Sequence, residues 1–256
     1  MFIPLYDSNH LRTIRLQYVT IALIVLNVVA YLVTTIGGEN FSNAAVLGLS
    51  FIPSVVNHTA ELAPQFVIIP ENLSYLTYSF LHMDLLHLGG NMLFLWVFGD
   101  NVEDALGHFR YLLFYVASAI GGAFFHGLVA PDSQAPLIGA SGAVAGVVTA
   151  YLILYPKVKI WILAFGRIPL RIPAYIPLAL WILLQFGMFA MGGEDQISWA
   201  CHVGGILSGA VLVLLLKRRN VPLTDEEAAL PLPAEIPRQP LPEAADTRPG
   251  SPWDRR

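Results

Sequence analysis

Cysteine is nearly absent and charge is scarce. A single cysteine, Cys201, stands among 256 residues, which excludes an intramolecular disulfide framework and a metal site built from several thiolates. Charged residues make up 12% of the chain and hydrophobic ones 55%, with a mean hydropathy of +0.61. That balance excludes an ordinary soluble domain and fits a chain that crosses a lipid bilayer several times. No cofactor and no nucleic-acid partner are expected. A third absence is local: residues 37–80 contain no Lys or Arg.

What is present is a series of apolar runs. Residues 1–16 precede a run from about Gln17 to Ile36, which is long enough to span a bilayer. It exceeds a signal-peptide core and lacks a small-x-small cleavage site, so it reads as a first transmembrane helix. A rather short second span lies in Ser79–Gly99, a third covers about Tyr111 to Val129, and a fourth runs from Ser141 to about Tyr155. The fifth covers about Ala174 to Met191 and the sixth about Ala200 to Leu216. Between them, Asp100–Arg110 reads as a short polar link. Ile160–Phe165 is too short to span and is expected at the membrane interface. The 37–80 connection, with Pro53, Pro64 and Pro70 among apolar pieces, is expected to form short helices in or near that interface. Residues 17–217 thus form the membrane domain, and 218–256, rich in Pro, Ala and Glu, are expected to be a disordered cytoplasmic tail.

Charge placement tests this count, because positive residues gather in cytoplasmic loops. Of 14 Lys and Arg, four lie in the far tail; the other ten are Arg12, Arg15, Arg110, Lys157, Lys159, Arg167, Arg171 and Lys217–Arg219. All ten fall on the side that holds both termini, whereas the opposite loops carry only acids, among them Glu39, Glu61, Asp132 and Glu194. Both termini are therefore cytoplasmic. Spans two, four and six then begin on the extracytoplasmic side.

Those three beginnings carry the polar residues. Ser141 sits in Gly139-Ala-Ser-Gly142, where loop residues give way to helix formers, so its hydroxyl and N–H lie at a helix N-terminus, a place that favours an oxyanion. His202 opens the sixth span in His202-Val-Gly-Gly205. Gly142 and Gly146, like Gly205 and Gly209, are four apart, a spacing that lets apolar helices approach closely and could bring Ser141 against His202. A hydroxyl beside an imidazole is the minimum for nucleophilic catalysis; the plain alternative is that Ser141 only packs. His87 and Asn91 share one face of the second span, with His82 five residues earlier. They read either as donors aimed into a cavity or as interhelical hydrogen bonds. A metal site is not expected, because His82 and His87 are turned about 140° apart on a helix and no third ligand is evident.

With these motifs in order, the chain resembles the rhomboid intramembrane serine proteases, in their bacterial six-helix form, over about residues 1–217. Gly139-Ala-Ser-Gly142 is similar to the family's nucleophile motif, His202-Val-Gly-Gly205 with Gly209 to its sixth-helix motif, and His87-x-x-x-Asn91 to its second-helix motif. The resemblance implies an all-α, six-transmembrane-helix bundle without cofactor. It implies Ser141 as nucleophile, His202 as general base, an oxyanion hole from the Ser141 N–H, Asn91 and His87, and a polar cavity to which His82 contributes. The first loop is expected to pack on the side of the bundle and the fifth helix to move to admit substrate. The expected substrates are single-span membrane proteins cleaved near the outer end of their helix, in a bacterial cytoplasmic membrane.

Departures exist: a Trp-Arg pair of some members is missing from the first loop, Ala145 replaces a Tyr that supports the base in some members, and Cys201 replaces a common Ala. Two other classes compete. A rhomboid-like protein that binds transmembrane clients without cleaving them should have lost Ser141 or His202, and both are present. A transporter should spread its polar residues toward both faces, often in repeated halves; here they cluster toward one face, with no repeat.

Overall fold

The computed structural model describes residues 2–192, 198–219 and 221. Strand β1 (Phe2–Asp7) leads into helix α1 (Tyr18–Ile36), then α2 (Glu39–Leu49), α3 (Pro53–Val56) and α4 (Ser74–Thr77), joined by single turns of 3-10 helix. Helices α5 (Leu85–Leu106), α6 (His108–Val129) and α7 (Ser141–Leu154) follow. A hairpin of β2 (Lys159–Ala164) and β3 (Ile168–Pro173) leads to α8 (Tyr175–Ala190) and α9 (Trp199–Leu216).

Among the described residues α1, α6 and α9 are long and apolar enough to cross a membrane, and α7 and α8 are shorter apolar helices. The outer surface is apolar: Val25, Leu26, Val29, Leu32 and Val33 of α1 are all exposed, whereas Thr20 and Asn27 are buried. A surface with apolar side chains outward and polar ones inward is stable in lipid and unstable in water. The described part is thus a mainly helical membrane protein.

The Asp100–Arg110 stretch is not a solvated link. Helix α5 continues through it to Leu106, and Gly107, at φ +83°, turns the chain directly into α6. Glu103 is fully buried, and its carboxylate accepts the N–H groups of Val19 (3.0 Å) and Thr20 (2.8 Å), the Thr20 hydroxyl (2.7 Å) and a 2.6 Å bond from His108 Nδ1. An anion at the start of α1 satisfies donors that a helix N-terminus leaves unpaired. Asp104 does the same for the N–H groups of Arg12, Thr13 and Ile14, at 2.7 to 2.9 Å. These two carboxylates bind the N-terminal segment to the helices.

The departure from the all-α expectation is a three-stranded antiparallel sheet in the order β1-β2-β3. Ile160–Phe165, read as an apolar piece at the interface, supplies its middle strand. Ile160 and Ile162 point inward and are buried, while Trp161 between them is 40% exposed. This period of two was hidden because the outward residue is also apolar. Asp7 pairs with Ile160, and its carboxylate accepts the Tyr151 hydroxyl (2.7 Å) and the Asn101 amide (3.1 Å). Burial pushes Asp7 up from 3.8 to about 6, against the opposing effect of the Tyr151 hydrogen bond.

Candidate active site

The short helices foreseen in residues 37–80 are present, and they seat two anchors against the bundle. Phe51 exchanges two backbone hydrogen bonds with Leu137 (3.2 and 2.9 Å), so the first loop holds the segment that leads to Ser141. Tyr78 is fully buried, its hydroxyl donating to the Ala119 carbonyl (2.8 Å) and lying 3.5 Å from Cys201 Sγ. The Tyr78 carbonyl accepts the Gly139 N–H at 3.0 Å. Gly139 has φ +119°, a conformation that L side chains rarely adopt, and the chain can then swing into α7 with Ser141 as its first residue.

The glycine pairs act as the spacing suggests. A Cβ on Gly205 would overlap the Gly142 carbonyl oxygen, and one on Gly209 would lie 2.5 Å from Gly146 Cα. Only glycine allows α7 and α9 to touch backbone to backbone here. The contact also sets Cys201 against Gly142, where an added Cβ would lie 2.7 Å from the cysteine sulfur. Ser141 and His202 each follow or precede that contact by one residue. They therefore share one end of the helix pair, although their side chains are not hydrogen-bonded to each other; such catalytic bonds are often loose without substrate.

Helix α5 brings the remaining candidates. Its N-cap is Asp84, whose carboxylate accepts the His87 N–H at 2.8 Å. The His87 ring lies over Gly139: a Cβ there would sit 2.8 Å from both His87 Nε2 and Cε1 and 3.9 Å from Ser141 Oγ. The His87 ring and the serine hydroxyl thus both border the space beside the Gly139 α-carbon. One turn along, Asn91 is buried with its amide nitrogen 3.1 Å from His82 Nε2, and the His82 and His87 rings meet edge to face at 5.1 Å. His82, His87 and Asn91 form one polar cluster, whose His87 ring meets Gly139, two residues before Ser141. Among the described residues no group of three or more His, Cys, Asp or Glu could hold a metal ion.

His202 is buried between two indoles, with ring centroids 5.9 Å from Trp199 and 6.2 Å from Trp181. Its Nδ1 lies 2.7 Å from Oε1 of Gln185 on α8. Sequence reading missed Gln185, although a lone amide in the apolar fifth span was a signal that it has a partner. His126 meets Ser198 Oγ at 2.8 Å, and Ser198 caps α9 by accepting the Cys201 N–H at 3.1 Å, so His126 fixes the start of that helix. The tail beyond residue 221 and Gly193–Ile197 lie outside the described residues.

The family model of the Rhomboid domain matches residues 70–219. Among curated proteins, the chain is 29% identical over 179 residues to Rhomboid protein 1, mitochondrial, of Saccharomyces cerevisiae, covering 66% of this chain and 49% of that protein. It is 33% identical over 130 residues to Rhomboid protease GluP of Bacillus subtilis, covering 50% of this chain and 23% of the relative. With Rhomboid-type serine protease 2 of Emericella nidulans it shares 30% identity over 148 residues, 54% of this chain and 26% of the other. The chain thus spans about half or less of the length of these relatives.

Proposed function

Since the chain belongs to the rhomboid family, we propose that it is an intramembrane serine endopeptidase that uses a Ser141–His202 dyad to hydrolyse peptide bonds in or beside the transmembrane segments of membrane proteins. The observation that carries this reading is the backbone contact of Gly142 with Gly205, together with the seat of Cys201 against Gly142, which sets the first turn of α7 against the first two turns of α9, with the His87 ring against Gly139, two residues before Ser141.

Chemistry follows from the placement. As Ser141 Oγ attacks the scissile carbonyl carbon, its proton passes to His202, and the carbonyl oxygen becomes an oxyanion. The Ser141 N–H at the start of α7, the Asn91 amide and the His87 ring supply donors for that charge. Collapse of the intermediate expels the amine with the proton from His202 and leaves an acyl ester on Ser141. Water, activated by the same imidazole, then hydrolyses the ester.

The polar cluster also supports a route by which water and peptide reach such depth. Unpaired polar groups in hydrocarbon cost several kcal/mol, so His82, His87 and Asn91 favour a hydrated hollow closed to lipid. The substrate must expose backbone there, which favours single-span proteins whose helix unwinds easily near its outer end. The chain counts as six membrane helices, with α5 as the second span and α9 as the sixth. The bias of Lys and Arg supports cytoplasmic termini with the site opening on the other side, and the resemblance to the bacterial six-helix form favours a bacterial cytoplasmic membrane.

A fluorophosphonate probe tests the assignment on detergent-solubilised protein. The native chain should be labelled, and Ser141→Ala and His202→Ala should not. Labelling that persists in Ser141→Ala would overturn it.

A further inference from the structure

Resting on the dyad reading above, we propose that Gln185 is a positioning residue for the base: its amide oxygen holds His202 in the tautomer whose Nε2 is free to take the serine proton. Helix α8 buries little of itself, its buried residues being Pro177, Leu178 and Gln185. An amide in such a helix is costly unless both its ends are paired. Both are. Gln185 Nε2 donates to the Trp181 carbonyl one turn back (3.1 Å), and Oε1 lies 2.7 Å from His202 Nδ1.

The two bonds together fix the proton. A main-chain carbonyl can only accept, so the amide nitrogen, not its oxygen, must face Trp181. The oxygen then faces His202, and an amide oxygen can only accept as well. Nδ1 must therefore carry a hydrogen, which leaves the lone pair of the neutral ring on Nε2. Trp181, the residue that orients the amide, also lies against the imidazole. Because the acceptor rides on α8 and the imidazole on α9, the tautomer is held while these two helices stay packed. The amide fills the role left open by Ala145, which has no side chain long enough to support the ring. A neutral amide orients the imidazole without adding a charge to stabilise the imidazolium.

Two measurements on the full-length protein test this. In the native chain labelled with 15N-histidine, the His202 signal, identified by its loss in His202→Ala, should show Nδ1 protonated and Nε2 unprotonated at neutral pH; the opposite tautomer overturns the proposal. In turnover of a transmembrane reporter, Gln185→Met, similar in length but without an acceptor, should lower kcat roughly 10- to 100-fold with KM unchanged. Gln185→Glu keeps the acceptor and adds a charge; it should restore most of kcat and move the acid limb of the kcat profile to higher pH. Native kcat in Gln185→Met, or loss in both variants with an unshifted profile, overturns it. Fluorophosphonate labelling separates the two readings: an unlabelled native chain sinks the dyad, whereas a labelled native chain with an indifferent Gln185 sinks this inference alone.

Discussion

Replacing Gly205 by alanine adds one methyl group and should cost most of the activity. The new Cβ would overlap the Gly142 carbonyl oxygen and lie 2.8 Å from its carbonyl carbon and 3.1 Å from its Cα. All three atoms are backbone, so no side-chain rotation relieves the clash. Carbon contacts settle at about 3.5–4.0 Å, which requires α7 and α9 to separate by on the order of 1 Å. Overpacking of this kind costs roughly 1–3 kcal/mol of stability. The kinetic cost is larger, because a displacement of that size at a reacting pair lowers turnover by on the order of 100-fold. Steady-state cleavage of a transmembrane reporter measures the loss, with thermal unfolding in the same detergent reporting stability. Gly187→Ala on α8 is the control: nothing lies within 4 Å of the added Cβ, and alanine in a helix interior gains roughly 0.5–1 kcal/mol over glycine. Native kcat in Gly205→Ala, or an equal loss in Gly187→Ala, would refute the claim that backbone contact sets the dyad.

Two further outcomes follow from the site and the sheet. Asn91→Ala should reduce kcat about 100- to 1000-fold, as loss of an oxyanion donor does; unchanged kcat would leave the hole to His87 and the Ser141 N–H. Asp7 is raised from 3.8 to about 6 in the folded chain, so its contribution to docking of β1 is complete below about 3.8 and is lost as pH rises through about 6. Amide exchange across Phe2–Asp7, corrected for intrinsic rate, should show more protection at pH about 5 than at pH about 8. In Asp7→Asn that difference should vanish, and native protection independent of pH would contradict the burial argument.

The hydrophobic runs and the glycine spacing were legible because each is a local property. An apolar stretch must meet lipid or other apolar groups wherever it lies, and Gly142, Gly146, Gly205 and Gly209 declare a close approach by their spacing. The same reading pointed to Ser141, His202, His87 and Asn91, because polar residues are costly within apolar helices. It did not find the sheet, since Trp161 and Ile162 are both large and mainly apolar although one is outward and the other inward. Nor did it find the burial of Glu103 and Asp104, whose donors come from residues 84 and 92 positions away.

Sequence alone therefore determined which segments prefer lipid and which polar residues stand at their starts. Tertiary structure alone decided which of those residues meet: that His87 lies over Gly139, that Tyr78 ties α6, α7 and α9 together, and that Gln185 meets His202 beside the Trp181 and Trp199 rings. The physical reason is that solvent preference is carried by each side chain, whereas a hydrogen bond requires a partner whose position depends on how every helix packs.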